Sequence, residues 1–465
     1  SQLVAEFKQY FPDIVLAHSR QTEAERHLSW LGVANATTPQ VVIGPRSALF
    51  LPLKSIGAII IDEAHEPSYK QDQSPRYSAL RVAGILARYH KSLVIQGSAT
   101  PLVSEYYLAE QYKRPIIKLP HLARKDAVKP NITMVDMTSR ASFSRHRFFS
   151  DQLLSAMTAS LERGEQVLIF HNRRGSASTT LCKNCGWSAI CPRCFIPLTL
   201  HSDQHELRCH ICNITEKVPT SCPVCHSTDI IHKGIGTKLI ESEMRKLFPK
   251  NKIMRFDGDT DDADTVENQY QALYDGTTQI IIGTQVVAKG LDLPKLRTVG
   301  VIQADAGLSL PDFSSSERTF QLLAQVIGRV GRSSHPTSVI VQSYQPKNPA
   351  VQYGIAQNYS DFYKETLAVR HKANFPPYTY LLKLTCSYKT EAVAIRNSKN
   401  FAASIREQFP EVTILGPTPA FYERQRDSYR WQITIKSPKR SHLIDIISHV
   451  PAQHWQYDID PVSLL

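Results

Sequence analysis

The sequence predicts an α/β protein with two units of parallel sheet, a cysteine-rich insertion in the second, and an α+β domain at its C-terminal end. Three observations predict it. Short β-branched runs end in polar turns, as buried parallel strands do. Eight of the nine cysteines fall in four C-x-x-C pairs between positions 182 and 225. From about Pro346 onward, longer strand-like stretches alternate with helical ones.

The elements follow in order. Residues 1–125 form the first unit, with strand-like runs at 41–43, 58–61 and 93–95. Residues 126–150 read as a basic, polar linker. The second unit spans 151–345, with strands at 167–170, 280–282, 299–302 and 338–341, and the cysteine module occupies 180–232 between the first of these and the helix after Gly236. The C-terminal domain, 346–465, has strands at 380–384 and 431–435 and helices near 390–408 and 442–448. A chain of 465 residues suits about three domains. Lys and Arg outnumber Asp and Glu by 54 to 42, a net charge of +12. That excess points to a polyanionic partner, nucleic acid rather than a membrane surface. No apolar run reaches the roughly 18 residues a membrane span needs.

The cysteine pairs are Cys182/Cys185, Cys191/Cys194, Cys209/Cys212 and Cys222/Cys225, with Cys386 left over in a strand. Each C-x-x-C turn aims two thiolates at one tetrahedral ion, so four pairs imply two structural zincs. The separation of Cys194 from Cys209 matches a zinc ribbon, which pairs the second turn with the third and leaves the first and fourth to enclose them. A disulfide cluster is the competing reading. It fits poorly with thiolate-spaced pairs in a chain that shows no secretory signal, whereas a reducing, cytoplasmic setting suits them.

Asp62-Glu63-Ala64-His65 follows an apolar strand directly. A strand that delivers two carboxylates to a nucleotide can hold Mg²⁺ with the first and polarise the attacking water with the second. A further strand ends at Gly97-Ser98-Ala99-Thr100. In the segment 314–332, Ser314 and Glu317 have capping-box spacing, and Phe320, Leu323, Ala324 and Ile327 form a buried stripe. Gln325, Arg329 and Arg332 share another face, where guanidiniums can grip phosphate oxygens. Other strand ends carry Arg46 and Ser47, Arg173 and Arg174, and Thr284 followed by Lys289, Gly290 and Asp292. Repeated basic or hydroxyl tips suit a groove that tracks a nucleic-acid backbone. In the tail, Arg424, Arg426, Tyr429, Arg430 and Trp431 read equally as a DNA contact and as a half-buried strand.

The ordered set D-E-A-H, G-S-A-T, G-T-Q…K-G-L-D and Q-V-I-G-R-V-G-R resembles the motor of superfamily 2 helicases. The eight-cysteine insertion after L-I-F-H-N-R-R-G narrows the resemblance to the primosomal replication-restart helicases, and L-G-P-T-P-A and Y-R-W-Q in the tail are similar to the same family. The resemblance implies two RecA-like lobes clamping ATP with Mg²⁺, the first of them incomplete in this chain. It assigns Asp62 to the metal and Glu63 to the water, and it brings His65, Gly290, Asp292, Gln325, Arg329 and Arg332 to the nucleotide. It implies one zinc on Cys182, Cys185, Cys222 and Cys225, and the other on Cys191, Cys194, Cys209 and Cys212. Residues 66–81, with Tyr69, Lys70 and Tyr77, resemble the family's aromatic-rich loop that senses single-stranded DNA. The implied partners are forked DNA with single-stranded/duplex junctions, primosome proteins, a single-stranded-DNA-binding protein and the replicative helicase loader. The implied activity is ATP-driven 3′-to-5′ unwinding that reloads replication at stalled forks. No G-x-x-x-x-G-K-[ST] occurs in the chain, which begins with Ser1 rather than Met. The expectation is therefore a C-terminal portion of a longer protein, with negligible ATP hydrolysis on its own. A non-catalytic zinc scaffold that binds DNA and primosome partners is the alternative, and an RNA-remodelling ATPase is a more distant one.

Overall fold

The computed structural model describes residues 2–11, 13–18, 21–120, 128–171, 180–231, 235–257, 268–284, 293–330, 335–425 and 427–465, with the side chains of Gln2, Leu3, Ala5, Arg329 and Val330 outside the description. The chain divides into two compact units, Ser1–Leu102 and Val103–Leu465.

The first unit contains two parallel strand pairs, Ile14–Leu16 with Val41–Ile43 and Ala58–Ile61 with Leu93–Gln96. The helix Glu23–Asn35 opens with a reciprocal capping box between Thr22 and Glu25, and Ser78 caps Ala79–His90 through the Arg81 amide. Successive strand residues point to opposite faces. Ile59 and Ile61 therefore enter a small core with Ala64 and Ala83, while Ile60 and Leu93 turn outward and are 70% and 60% exposed.

The second unit is built on an all-parallel sheet of six strands, in the order Ile253–Phe256, Ile280–Gly283, Gln166–Phe170, Leu296–Val301, Ser338–Ser343 and Asn131–Asp136. The central strands are apolar on both faces because each face has its own core. Phe170, Ile281 and Val299 meet Leu323 and Ile327 of the helix Ser315–Val330 on one side. Ile169, Ile280 and Ile282 meet Leu153, Met157, Ile240 and Met244 on the other. The stripe expected on Ser315–Val330 is buried at all four positions. The linker expected over 126–150 is corrected in part: Asn131–Asp136 is the edge strand, paired in register with Ser338–Ser343. Its alternation is only six residues long, with Ile132 and Met134 to one core and Val135 to the other, and polar flanks hide it in the sequence.

The cysteine module leaves this sheet after Phe170 and returns to it at the helix Thr237–Leu247. It contains the short pair Leu181–Cys182 with Ile230–Ile231 and a three-stranded antiparallel sheet, Thr199–His201, Glu206–Arg208 and Thr215–Lys217. The C-terminal domain is a four-stranded antiparallel sheet, ordered Thr413–Gln425, Ser428–Ser437, Tyr380–Tyr388 and Trp455–Ile459. The helices Glu391–Gln408 and Arg440–Ile447 contribute Ala394, Ala402, Ile405, Leu443 and Ile446 to its core, where Cys386 is also buried.

Two zinc centres and a candidate nucleotide site

All four C-x-x-C turns adopt one local geometry. In each, the residue after the second cysteine is left-handed: Gly186 (φ 75°), Phe195 (55°), Asn213 (65°) and His226 (60°). Its amide donates to the carbonyl of the first cysteine, at 2.9, 2.9, 3.0 and 2.9 Å respectively. The turn thereby brings both sulfurs to the same side. The four turns meet in two clusters, Cys182, Cys185, Cys222 and Cys225, and Cys191, Cys194, Cys209 and Cys212. This is the nested arrangement the spacing predicts. Sulfur separations of 3.6 Å (Cys182–Cys225, Cys185–Cys222 and Cys191–Cys212) fit the edge of a tetrahedron with Zn–S bonds of about 2.3 Å. A disulfide would need about 2.05 Å. The residues present thus fit two Zn²⁺ ions.

The two centres differ in their surroundings. The inner cluster lies in an apolar cluster with Ile196, Leu198, Leu207 and Ile211, packed on Phe375, Leu381 and Leu415 of the C-terminal domain. Four thiolates on Zn²⁺ leave a net charge of −2. The buried Lys436 answers part of it, although its ammonium also donates to the Ala373 carbonyl at 2.8 Å and sits 3.6 Å over the Phe375 ring. Burial holds Lys436 down to about 8, while the neighbouring Cys194 sulfur pulls it upward. The outer cluster is more open, with Cys185 exposed. There, the Asn184 amide donates to Cys225 at 3.5 Å and, as the largest cause, lowers that thiol to about 6, which favours the ligating thiolate. The outer turn also docks on the six-stranded sheet: a Cβ at Gly186 would stand 2.1 Å from the Tyr344 carbonyl oxygen. Sequence reading missed Lys436, because the cysteines it faces lie more than 200 positions away.

In the first unit, Asp62 is exposed at the end of Ala58–Ile61, and Glu63 follows with a left-handed φ of 47°. The next turn is tied to the strand beside it, with the Ala64 amide on the Gly97 carbonyl at 2.9 Å and the Gly97 amide on the Ile61 carbonyl at 2.8 Å. His65 is buried, and its Nδ1 lies 2.7 Å from the Ser98 hydroxyl, which accepts the Thr100 amide at 3.0 Å. The D-E-A-H and G-S-A-T turns therefore form one hydrogen-bonded unit. The following loop is tied in as well. The Tyr69 hydroxyl donates to the Asp62 carbonyl at 2.7 Å, and burial followed by the Asp62 carboxylate raises its pKa. The Arg46 guanidinium donates to the Ser68 carbonyl and to Gln71 Oε1. Tyr77 meets Phe50 edge-on at 5.0 Å, Lys70 is buried and Ser47 is exposed.

In the second unit, Gln325 is half-buried on Ser315–Val330, which also carries the backbone of Arg329. Thr284 is buried at the end of Ile280–Gly283. Arg173, Arg174, Lys289, Gly290, Asp292, Arg332 and Arg426 lie outside the described residues. The capping box expected from Ser314 and Glu317 does not form. Ser314 donates to Asp312, whereas the Glu317 carboxylate accepts the Val103 amide at 2.6 Å and pairs with the buried Arg370 at 2.6 Å. In the tail, Arg424 covers the Tyr429 ring at 5.0 Å and Trp431 is buried in the core.

Three family models match the chain: the Helicase conserved C-terminal domain over residues 236–334, the PriA DNA helicase Cys-rich region domain over 191–217, and the Primosomal protein N C-terminal domain over 371–462. Among curated relatives, the replication restart protein PriA of Bacillus subtilis is 36% identical over 99% of this chain and 57% of its own length. That of Haemophilus influenzae is 35% identical over 95% of this chain and 60% of its own length. That of Borreliella burgdorferi is 31% identical over 96% of this chain and 68% of its own length. The chain thus spans less than two thirds of the first two relatives. With two four-cysteine centres set in a helicase sheet and a PriA relative matched over two thirds of its length, the chain belongs to the replication restart protein PriA family.

Proposed function

We propose that this chain forms the zinc-bearing part of an ATP-dependent 3′-to-5′ DNA helicase that recognises stalled forks, remodels them and reloads the replicative helicase. The observation that carries the reading is the nested pair of four-cysteine centres inside the six-stranded sheet unit, in a chain 36% identical to a replication restart protein. In this reading Asp62 holds Mg²⁺ and Glu63 orients the attacking water. Gln325, Arg329 and Arg332, with His65, Gly290 and Asp292, serve the phosphates of ATP. Arg46, Ser47, Arg173, Arg174, Thr284 and Lys289 follow the DNA backbone, and the loop of Tyr69, Lys70 and Tyr77 reports DNA to the nucleotide. Support for that last role is the Tyr69 hydroxyl on the Asp62 carbonyl, which ties the loop to the D-E-A-H turn. Primosome proteins, a single-stranded-DNA-binding protein and the helicase loader are the proposed protein partners, in the cytoplasm. Among the described residues no helix is long and apolar enough to cross a membrane.

A second reading, a zinc scaffold that binds DNA and primosome proteins without catalysis, is favoured by one observation: the 465 residues contain no G-x-x-x-x-G-K-[ST]. ATP hydrolysis with forked DNA separates the two. The first reading expects negligible turnover by this chain and DNA-stimulated turnover by the full-length protein of its source. A full-length protein that binds forks without hydrolysing ATP would leave the scaffold.

A further inference from the structure

Between the zinc ribbon and the C-terminal sheet lies a second kind of donor cluster, outside both cysteine centres. His201 ends the ribbon strand Thr199–His201, His210 sits inside the turn from Cys209 to Cys212, and Glu423 lies on Thr413–Gln425. Each offers a ligand atom within 4.8 Å of the others. The turn that carries His210 is held to the C-terminal sheet: Gln432, on Ser428–Ser437, donates to the His210 carbonyl at 2.7 Å, and the His210 ring stands edge-on to Phe421, on the strand of Glu423, at 5.7 Å.

The contacts of the two rings fix their tautomers. His210 Nδ1 lies 3.0 Å from the Pro419 carbonyl, an acceptor, so the ring proton sits on Nδ1 and Nε2 presents a lone pair. That lone pair faces His201 Nε2 at 3.3 Å. The other nitrogen of His201, Nδ1, faces the Glu423 carboxylate at 3.3 Å. With its proton on Nε2, a neutral His201 can donate to that lone pair, and a cation between the two rings is the other occupant the spacing allows. A second proton on His201 is opposed by burial first and then by the charge of Arg208, both of which lower its pKa. The geometry suits a metal: two nitrogens bound to one tetrahedral zinc at about 2.0–2.1 Å lie about 3.3–3.4 Å apart, as the two Nε2 atoms do. The Pro419 carbonyl already holds His210 from behind, as the outer partners of metal-bound histidines do.

We propose that His201, His210 and Glu423 form a third metal site, for Zn²⁺ or a similar first-row divalent ion, that clips the zinc ribbon to the C-terminal sheet. Two imidazoles and a carboxylate are a borderline donor set that selects such ions over Mg²⁺ or Ca²⁺. Water completes the coordination on the exposed Glu423 side. Asp203 and Glu206 are the acidic neighbours of His201, and Arg208 the basic one.

The test uses the full chain without a histidine tag, dialysed against nanomolar buffered Zn²⁺, with metal counted by elemental analysis and located by anomalous scattering at the zinc edge. Three zincs per chain are expected, the third peak within bonding distance of both Nε2 atoms. His201→Asn and Glu423→Gln, at positions outside the cysteine centres, should return the count to two with the far-ultraviolet circular dichroism unchanged. Cobalt substitution gives an independent reading, since the third ion should add a visible band without thiolate charge transfer. Two zincs in the unaltered chain with no density at His201, or a third zinc that survives His201→Asn, would overturn the proposal.

Discussion

Gly164 and Gly186 share a backbone conformation, each with φ of 75°, but not an environment. Replacing either with alanine puts a Cβ into left-handed backbone, which costs about 1–2 kcal/mol. At Gly164 nothing lies within 4 Å, so that cost is the whole effect. At Gly186 the new methyl would stand 2.1 Å from the Tyr344 carbonyl oxygen and 3.1 Å from its carbon. These are backbone atoms at the end of Ser338–Ser343 and cannot rotate aside. Overpacking of this kind adds about 1–3 kcal/mol, for a total of about 2–5 kcal/mol. Urea unfolding of the two variants should therefore give a clearly larger midpoint shift for Gly186→Ala. The same variant should surrender its outer zinc to a chelator faster, because the outer turn can no longer seat on the sheet. Equal midpoint shifts for Gly164→Ala and Gly186→Ala, with equal rates of zinc loss, would refute the docking of the outer centre on that strand.

Chelation of the unaltered chain should be biphasic for the two cysteine centres. The outer one, with Cys185 exposed, empties before the inner one, where Cys191, Cys194 and Cys209 are buried; a single phase would contradict this. Acid sensitivity has a local source in Glu243, held down to about 2 by Lys246 and then His146. A carboxylate with a depressed folded pKa stabilises fully above its unfolded value near 4.5 and loses that contribution as pH falls toward 2. Melting temperatures of the chain and of Glu243→Gln should converge below pH 4.5, and curves that stay parallel would reject the role. Tyr69→Phe in the full-length protein removes one hydrogen bond to the Asp62 carbonyl, a contribution of about 0.5–1.5 kcal/mol, so DNA-stimulated ATP hydrolysis should fall roughly 2–10-fold. Single-strand affinity should hold, and a change in affinity alone would make Tyr69 a base contact instead.

Local regularities were the legible part of this molecule. β-branched runs marked the central strands because a parallel sheet buries both faces, and C-x-x-C spacing marked the zinc turns because the ligands are local in sequence. The stripe Phe320, Leu323, Ala324 and Ile327 was readable for the same reason. What depends on distant partners was not. Glu317 looked like the close of a capping box, yet its carboxylate serves Val103, 214 positions away, and Arg370, 53 away. Asn131–Asp136 looked like a linker, because pairing with a remote strand rather than its own pattern makes it part of the sheet. Arg46 and Tyr69 stand out in the sequence by residue type, but the local bonds they make, Arg46 to Ser68 and Gln71 and Tyr69 to the Asp62 carbonyl, could not be read there. Nothing in the sequence near Lys436 announces that it sits beside a zinc centre.

The most direct test of the motor reading is unwinding of a forked DNA by the full-length protein, with and without Glu63→Gln. The reading expects ATP-dependent 3′-to-5′ strand separation that Glu63→Gln abolishes while fork binding and both cysteine-bound zincs are retained. Unwinding at an unchanged rate in the variant, or none in the unaltered protein, would contradict it.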